Sequence, residues 1–436
     1  MKVLKFGGTS VGSAERMKSV AELIKGSEPK IVVLSAMSGT TNSLVEISNA
    51  LFNDDKTTAN NIINQLEDKY KLVTEDLYQA DSAKQKAYTF LADRFGFIRS
   101  FTEHMFTVFG ERAILAQGEI LSTNLFKFYL EETGTEAVLL PALDFMRINE
   151  DQEPDQHYIS SKLNEILKQY KDTSLFITQG FICRNHVGET DNLKRGGSDY
   201  SASLIGAAID AEEIQIWTDI DGMHNNDPRV VKNTHPIAEL SFDEAAELAY
   251  FGAKILHPST VLPAKQRNIP VRILNTMQPQ AYGTVITHKT TSGAIKAVAA
   301  KDGIVAIKIK SGRMLLAYGF LSQVFEIFER YKTPIDVITT SEVALSVTID
   351  NIKRLDEIVL ALESFCTVEV DYEQTIICVV GDFSAEQQGY AFQVLEAMKN
   401  IPIRMISYGG SEHNITMLIN SKDKNRALNA LNDGLF

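Results

Sequence analysis

Three short segments place a charged residue beside glycines at the end of an apolar run. Such an arrangement brings backbone close to a phosphate or a carboxylate. Lys5-Phe6-Gly7-Gly8-Thr9-Ser10 is the first, with a helical pattern after it. Glycine permits close approach, and the N–H groups that open a helix favour anions. Lys5 would add a point charge. The G-x-x-x-x-G-K-[ST] spacing of a P-loop is absent, and an ordinary tight turn with a surface lysine fits the segment equally well. Arg195-Gly196-Gly197-Ser198-Asp199 is the second, ahead of an apolar helix. An arginine can grip a carboxylate through two hydrogen bonds; Ser198 or Asp199 as a plain helix cap is the competing reading. The third, Thr218-Asp219-Ile220-Asp221-Gly222, follows a strand and precedes Asp227-Pro228-Arg229. Loops after parallel strand ends are where α/β sheets bind ligands, although Asp221-Gly222 alone is a turn former. Glu119, in Gly118-Glu119, reads as a solvated charge in a helical stretch. Lys254, after Gly252-Ala253, is a helix-end lysine or a nucleotide contact. The eight histidines form no HExxH pattern and no Ser-His-Asp or Cys-His set.

Strand and helix signals explain how these residues are positioned. A strand over Val3–Phe6, a helix over Ala14–Lys25 and an apolar strand over Ile31–Ser35 predict an α/β domain with a largely parallel sheet. Residues 54 to about 108 read as a helical hairpin insertion with no chemistry of its own. Strands return at Ala137–Leu140, Leu175–Thr178, Ile214–Thr218 and Val271–Leu274, and Ser241 opens a helix with capping-box spacing. The first domain is expected to span residues 1–288. The tail then repeats one pattern. Ile304–Ile309, Leu321–Tyr331, Ile335–Thr340, Ala344–Ile349, Leu355–Phe365 and Val368–Tyr372 read as βαββαβ, a ferredoxin-like order. A second copy starts at Thr375 and lacks its last strand, which residues 294–300 are expected to supply. The expected domains are 302–372 and 373–436.

The chain has 436 residues, enough for about three domains. With 43 Lys+Arg against 56 Asp+Glu it carries a net charge of −13, which argues against a general nucleic-acid binder. Cys183, Cys366 and Cys378 lie far apart with no CxxC spacing, so neither a zinc site nor a disulfide framework is expected. No apolar run approaches the ~18 residues of a membrane span. The start of the chain lacks the apolar stretch of a signal peptide, so cytoplasm is the expected location.

Taken together and in order, the segments resemble the aspartate kinases. The matching stretches are Lys5–Val11, Leu34-Ser35-Ala36-Met37-Ser38-Gly39, Gln117-Gly118-Glu119, Thr178-Gln179-Gly180-Phe181, Arg195–Ala202, Trp217-Thr218-Asp219, Asp227-Pro228-Arg229 and Gly252–Pro258. The resemblance covers essentially the whole chain. In the tail, Gly319-Phe320-Leu321 and Ile338–Val343 look like the lysine-sensitive, single-function branch. It implies an amino-acid-kinase fold, a three-layer αβα sandwich with a mainly parallel sheet, followed by two ACT domains. It further implies transfer of the ATP γ-phosphate, with Mg²⁺, to the β-carboxylate of L-aspartate. The acyl phosphate so formed enters lysine, threonine and methionine synthesis. An aspartate carboxylate, with a free pKa near ~4, is already ionised at neutral pH. No general base is needed, and positioning plus neutralisation of phosphate charge suffices.

The resemblance also assigns roles. Lys5, Gly7 and Gly8 hold the transferring phosphate, and Asp199 orients Lys5 or the metal ion. Ser35, Thr41, Glu119, Arg195 and Ser198 hold aspartate, Glu119 at the α-ammonium and Arg195 at the α-carboxylate. Thr218, Asp219, His224, Arg229 and Lys254 hold ATP. Effector lysine would meet Met314, Gly319, Phe320, Leu321, Asp336, Thr340 and Glu342. No protein-only metal site is expected, and ACT domains of this type imply a homodimer or a tetramer. The pattern departs at four places: His224 stands where tyrosine is common, Lys194 replaces a small residue, Leu316-Ala317 replaces a His-Ser pair, and Pro334 replaces a serine. Two other readings remain at this level: another amino-acid kinase of the same fold, and a catalytically silent amino-acid sensor.

Overall fold

Strand β1 (Lys2–Phe6) turns Leu4 and Phe6 to one face of its sheet and Lys5 to the other, as the two-residue period of a strand requires. The computed structural model describes residues 1–193, 196–252, 258–288, 295–310, 318–383 and 388–436. Arg195, Lys254, Met314, Lys194, Leu316 and Ala317 lie outside them. The chain divides into two units. The first comprises Met1–Met223, Ala238–Phe242 and Leu256–Lys289; the second comprises His224–Ile237, Asp243–Ile255 and Thr290–Phe436.

In the first unit the strands after β1 are β2 (Lys30–Leu34), β3 (Val138–Leu140), β4 (Leu175–Gln179), β5 (Ile182–Arg184), β6 (Thr190–Asn192), β7 (Ile214–Thr218), β8 (Glu239–Ser241), β9 (Val271–Asn275) and β10 (Thr284–Thr287). Eight of them form one sheet, in the order β3-β4-β2-β1-β7-β9-β10-β8. Every pairing is parallel except β9 with β10. Helices α1 (Ala14–Leu23), α2 (Thr40–Phe52), α3 (Lys56–Leu77), α4 (Asp81–Ser100), α5 (Val108–Leu115) and α6 (Gln117–Glu132) share a core with Leu4, Phe6, Val32, Leu34, Leu175 and Ile177. Helices α7 (Gln156–Leu167) and α8 (Gly197–Ala208) are joined through Ser160 Oγ and the Ala208 carbonyl at 3.0 Å. Because Lys5 points away from the first core, it meets α8 on the opposite face. The expected αβα layering is therefore present.

Two helices follow, α9 (Phe242–Tyr250) and α10 (Leu262–Gln266). The second unit is built on one antiparallel sheet of β11 (Ile295–Lys310), β12 (Ile338–Thr340), β13 (Ala344–Ile349), β14 (Thr367–Gly381), β15 (Ile403–Tyr408) and β16 (Asn414–Asn420). Their order is β12-β13-β11-β14-β16-β15. Where the sequence suggests four separate strands, there are two long ones. The stretches 295–300 and 304–309 run on as β11, while 368–372 and 375–380 run on as β14. The register shifts between Lys301 and Ile304, and left-handed backbone at Gly303 (φ 76°) and Glu373 (φ 54°) sits where β11 gains β13, and β14 gains β16, as a second neighbour. Helices α11 (Phe320–Arg330) and α12 (Leu355–Glu363) cover the half holding Ile304–Lys310. Helices α13 (Tyr390–Ala397) and α14 (Lys424–Leu435) cover the half holding Ile295–Lys301. Residues 224–237 join this unit through the Val298 N–H, which donates to the Asn225 carbonyl (2.8 Å), and Asn226 Nδ2, which donates to the Leu428 carbonyl (2.9 Å).

Candidate active site

The carboxyl ends of β1, β2 and β7 open into a cleft of about 500 Å³ in the first unit. Gly8, Ser35, Thr41, Glu119, Ser198, Thr218 and Asp219 all line it. Glycine is required at Gly8, where an added Cβ would lie 2.8 Å from the Ala36 carbonyl oxygen. Beside it, the buried Lys5 ammonium stands 2.6 Å from Asp199 Oδ1. The pair joins the end of β1 to the first turn of α8, where a carboxylate also favours the helix dipole. Gly196 precedes that helix in a left-handed conformation (φ 73°). An added Cβ at Gly180 would lie 2.5 Å from the Ser198 side chain. The corner is held by the Phe181 N–H, which donates to Ser201 Oγ at 2.9 Å.

Glu119 reaches the cleft from the first turn of α6 and is 4% exposed. Its Oε1 accepts the Ala36 N–H at 3.1 Å, and its buried Oε2 has no hydrogen-bond partner among the described residues. Burial pushes its pKa up to about 8, against the opposing pull of the Ala36 N–H and the Lys5 charge. A buried carboxyl with one empty oxygen in a cleft suits a cationic ligand group.

Two predicted nucleotide residues belong to the second unit. His224 Nδ1 lies 3.0 Å from Thr234 Oγ1, and Arg229 forks onto Asp227 through Nε (2.9 Å) and Nη2 (2.8 Å). The effector candidates are also in that unit. Gly319 caps α11 with φ 88°, Phe320 packs into the core against Phe365, and Leu321 is exposed. Thr340 ends β12 and Glu342 is exposed just beyond it. The Asp336 side chain is 2% exposed; its Oδ1 accepts from Lys301 Nζ and from the Tyr250 hydroxyl, each at 2.8 Å. Lys301 also reaches Asp350 Oδ2 at 2.9 Å. Asp336 thus already has a lysine partner from its own chain.

Two further residues touch this region. Lys69 Nζ donates to the Ser38 carbonyl at 2.6 Å, and the buried Tyr70 hydroxyl lies 3.0 Å from Thr40 Oγ1. Both come from α3, inside the supposedly silent insertion, and no motif marks them.

A strand-end lysine locked to a helix-start carboxylate, over a glycine-walled cleft on a parallel sheet, defines a small-molecule kinase of the amino-acid-kinase type. Residues 1–275 match the amino acid kinase family model and residues 377–435 match an ACT domain model. Aspartokinase 1 of Arabidopsis thaliana, a chloroplast protein, is 34% identical over all of this chain and 80% of its own length. Lysine-sensitive aspartokinase 3 of Escherichia coli is 32% identical over 100% of this chain and 99% of its own. The crystal structure of the E. coli aspartokinase III complex with aspartate and ADP superposes with a TM-score of 0.86 at 32% identity, covering 100% of both chains. The complex of that enzyme with lysine and aspartate gives 0.82 at 32% identity, covering 100% of this chain and 99% of the other. The chain belongs to the aspartokinases, ATP-dependent kinases of the amino acid kinase family.

Proposed function

We propose that the chain transfers the γ-phosphate of ATP to the β-carboxylate of L-aspartate and that L-lysine inhibits it through the ACT-containing unit. The observation that carries the chemistry is the Lys5–Asp199 pair beside the half-empty Glu119 carboxyl. One β-carboxylate oxygen attacks the γ-phosphorus, the bond from that phosphorus to the bridging oxygen of ADP breaks, and 4-phospho-L-aspartate and ADP leave. Lys5, with the Gly7-Gly8 backbone, neutralises and orients the transferring phosphoryl group. Asp199 holds the Lys5 ammonium at the end of β1. Glu119 takes the α-ammonium of aspartate and Arg195 its α-carboxylate, with Ser35, Thr41 and Ser198 completing the pocket. Thr218, Asp219, His224, Arg229 and Lys254 are assigned to ATP. Mg²⁺ would supply charge neutralisation at the phosphates. Asp219 lines the cleft and Asp199 stands beside it on Lys5, and carboxylate oxygens suit so hard a cation, which takes one or two carboxylates and fills its shell with phosphate and water.

Lysine sensitivity is supported by the name of the E. coli relative and its complex with lysine. Met314, Gly319, Phe320, Leu321, Asp336, Thr340 and Glu342 are the assigned effector residues. A homodimer or tetramer through the ACT domains, a cytoplasmic location and a place at the entry to lysine, threonine and methionine synthesis complete the proposal.

Hydroxamate formation tests it, with ATP, Mg²⁺ and hydroxylamine, with and without aspartate, and with lysine titrated in. Aspartate-dependent hydroxamate that lysine suppresses is expected. Product insensitive to lysine would remove the regulatory assignment, and no product from folded protein would remove the catalytic one.

A further inference from the structure

We infer that Lys69 and Tyr70, neighbours on α3, are positioning residues for the acceptor half of the reaction, holding the turn between β2 and α2 that walls the aspartate pocket. This rests on the aspartate kinase reading above. Ser35, Ala36, Met37, Ser38 and Gly39 of that turn line the cleft, followed by Thr41 and Asn42 of the first turn of α2. Within the turn the Thr40 N–H donates to the Met37 carbonyl at 3.0 Å. Gly39 caps α2 in left-handed backbone (φ 82°) and offers no side-chain cap.

The turn is also gripped from three sides. From the glycine turn, the Ser38 N–H donates to the Gly8 carbonyl at 3.1 Å, and Gly8 leaves no room for a side chain against Ala36. From α6, Glu119 accepts the Ala36 N–H, and an added Cβ at Gly118 would lie 2.8 Å from the Ala36 Cβ. From α3, Lys69 Nζ donates to the Ser38 carbonyl at 2.6 Å and Tyr70 meets Thr40 Oγ1 at 3.0 Å. The third grip is made by adjacent residues of one helix, on Ser38 of the turn and on Thr40, the first residue of α2. Tyr70 is fully buried against Phe95 of α4, so the helical hairpin is rigid where it touches the turn. Among the described residues no carboxylate pairs with Lys69; the backbone carbonyl of Ser38 is its ligand. An ammonium committed to one carbonyl of a pocket loop fits a fixed loop position. The nucleotide side keeps its own anchor in Lys5–Asp199.

Steady-state kinetics on the full chain tests the inference through Lys69→Met, Lys69→Arg and Tyr70→Phe. Loss of a charge-assisted hydrogen bond should raise the aspartate KM of Lys69→Met about tenfold, with the ATP KM and the melting temperature nearly unchanged. Lys69→Arg restores the donor and should recover most of that loss. Tyr70→Phe should move the aspartate KM the same way by roughly threefold. An aspartate KM unchanged in both Lys69→Met and Tyr70→Phe, with the unsubstituted chain active, overturns the inference and leaves the kinase reading standing. Equal loss in both substrates together with a lowered melting temperature, unrescued by arginine, also overturns it, because the role is then merely structural. Absence of aspartate-dependent ADP release from the unsubstituted chain overturns the kinase reading and this inference with it.

Discussion

The Glu119 carboxyl keeps its proton at neutral pH in the free protein, because burial has raised its pKa to about 8 from an ordinary 4.5. An α-ammonium against its empty oxygen would favour the charged form and drive the proton off. Aspartate binding near pH 7 should therefore release up to about one proton, and affinity should rise by as much as tenfold per pH unit between about 5 and 8. Binding heats in buffers of different ionisation enthalpy measure this; a heat that does not vary with buffer refutes the contact. The same group sets a stability trend. Its folded pKa lies above its unfolded one, so between pH 4.5 and about 8 the folded state holds the extra proton. Stability then falls as pH rises through that window and levels off above it. Glu119→Gln should flatten the trend in thermal melts. Lys5→Ala should lower turnover by about three orders of magnitude, as loss of charge stabilisation at a transferring phosphoryl does, and leave the fold intact. Normal turnover in that variant would end the assignment of Lys5.

At the scale of elements, the site depends on strand ends meeting helix starts at van der Waals distance. Gly8, Gly180 and Gly197 are small because backbone or side chain from the neighbouring element fills the space a Cβ would take. Gly8→Ala would push against the Ala36 carbonyl, which is also fixed by the Glu119 grip on the same residue. We expect that overpacking to cost about 1–3 kcal/mol and to reduce turnover at least tenfold. Denaturant melts and initial rates check both, and a variant with wild-type rates would show that the turn moves freely. Gly8 and Gly197 are visible in the sequence as members of glycine pairs near charged residues, whereas Gly180 stands alone between Gln179 and Phe181, and the reasons for the glycines differ. Gly196 needs left-handed backbone, whereas Gly197 needs room for Phe181.

At the scale of the whole molecule, the second unit is welded by two long strands shared between its halves, not by a linker between two separate modules. Lys301 sits at the register shift of β11 and holds Asp336 and Asp350. Burial works against its ammonium, but the hydrogen bonds to the two carboxylates outweigh burial and keep its pKa above the usual lysine range. That stabilisation is present at neutral pH and is lost only as pH rises above the ordinary lysine value of 10.5. Lys301→Met would strand the buried Asp336 carboxylate and should cost about 3 kcal/mol. Calorimetry should show the loss, and an unaltered melt would mean that the carboxylate finds another partner. The same substitution tests the proposed effector role of Asp336: if lysine inhibits as proposed, competition between Lys301 and an effector ammonium predicts tighter inhibition in the variant.

The sequence by itself determined the layered α/β fold, the repeated ACT pattern and most of the cleft. Strand periodicity and glycine turns are local signals, and Lys5, Glu119 and Asp199 stand within or beside them. The resemblance offered Asp199 to Lys5 or to the metal ion; that Lys5 faces Asp199 across 194 residues of chain is decided by the strand order and by the face of β1 that Lys5 takes. The sequence could not show that 295–300 and 304–309 are one strand, since a register shift between them leaves a break in the pattern that reads as a turn. Lys69 and Tyr70 were invisible for a different reason. A lysine and a tyrosine in a charged amphipathic helix look like a solvated face and a core face, and only tertiary packing puts both against the turn between β2 and α2.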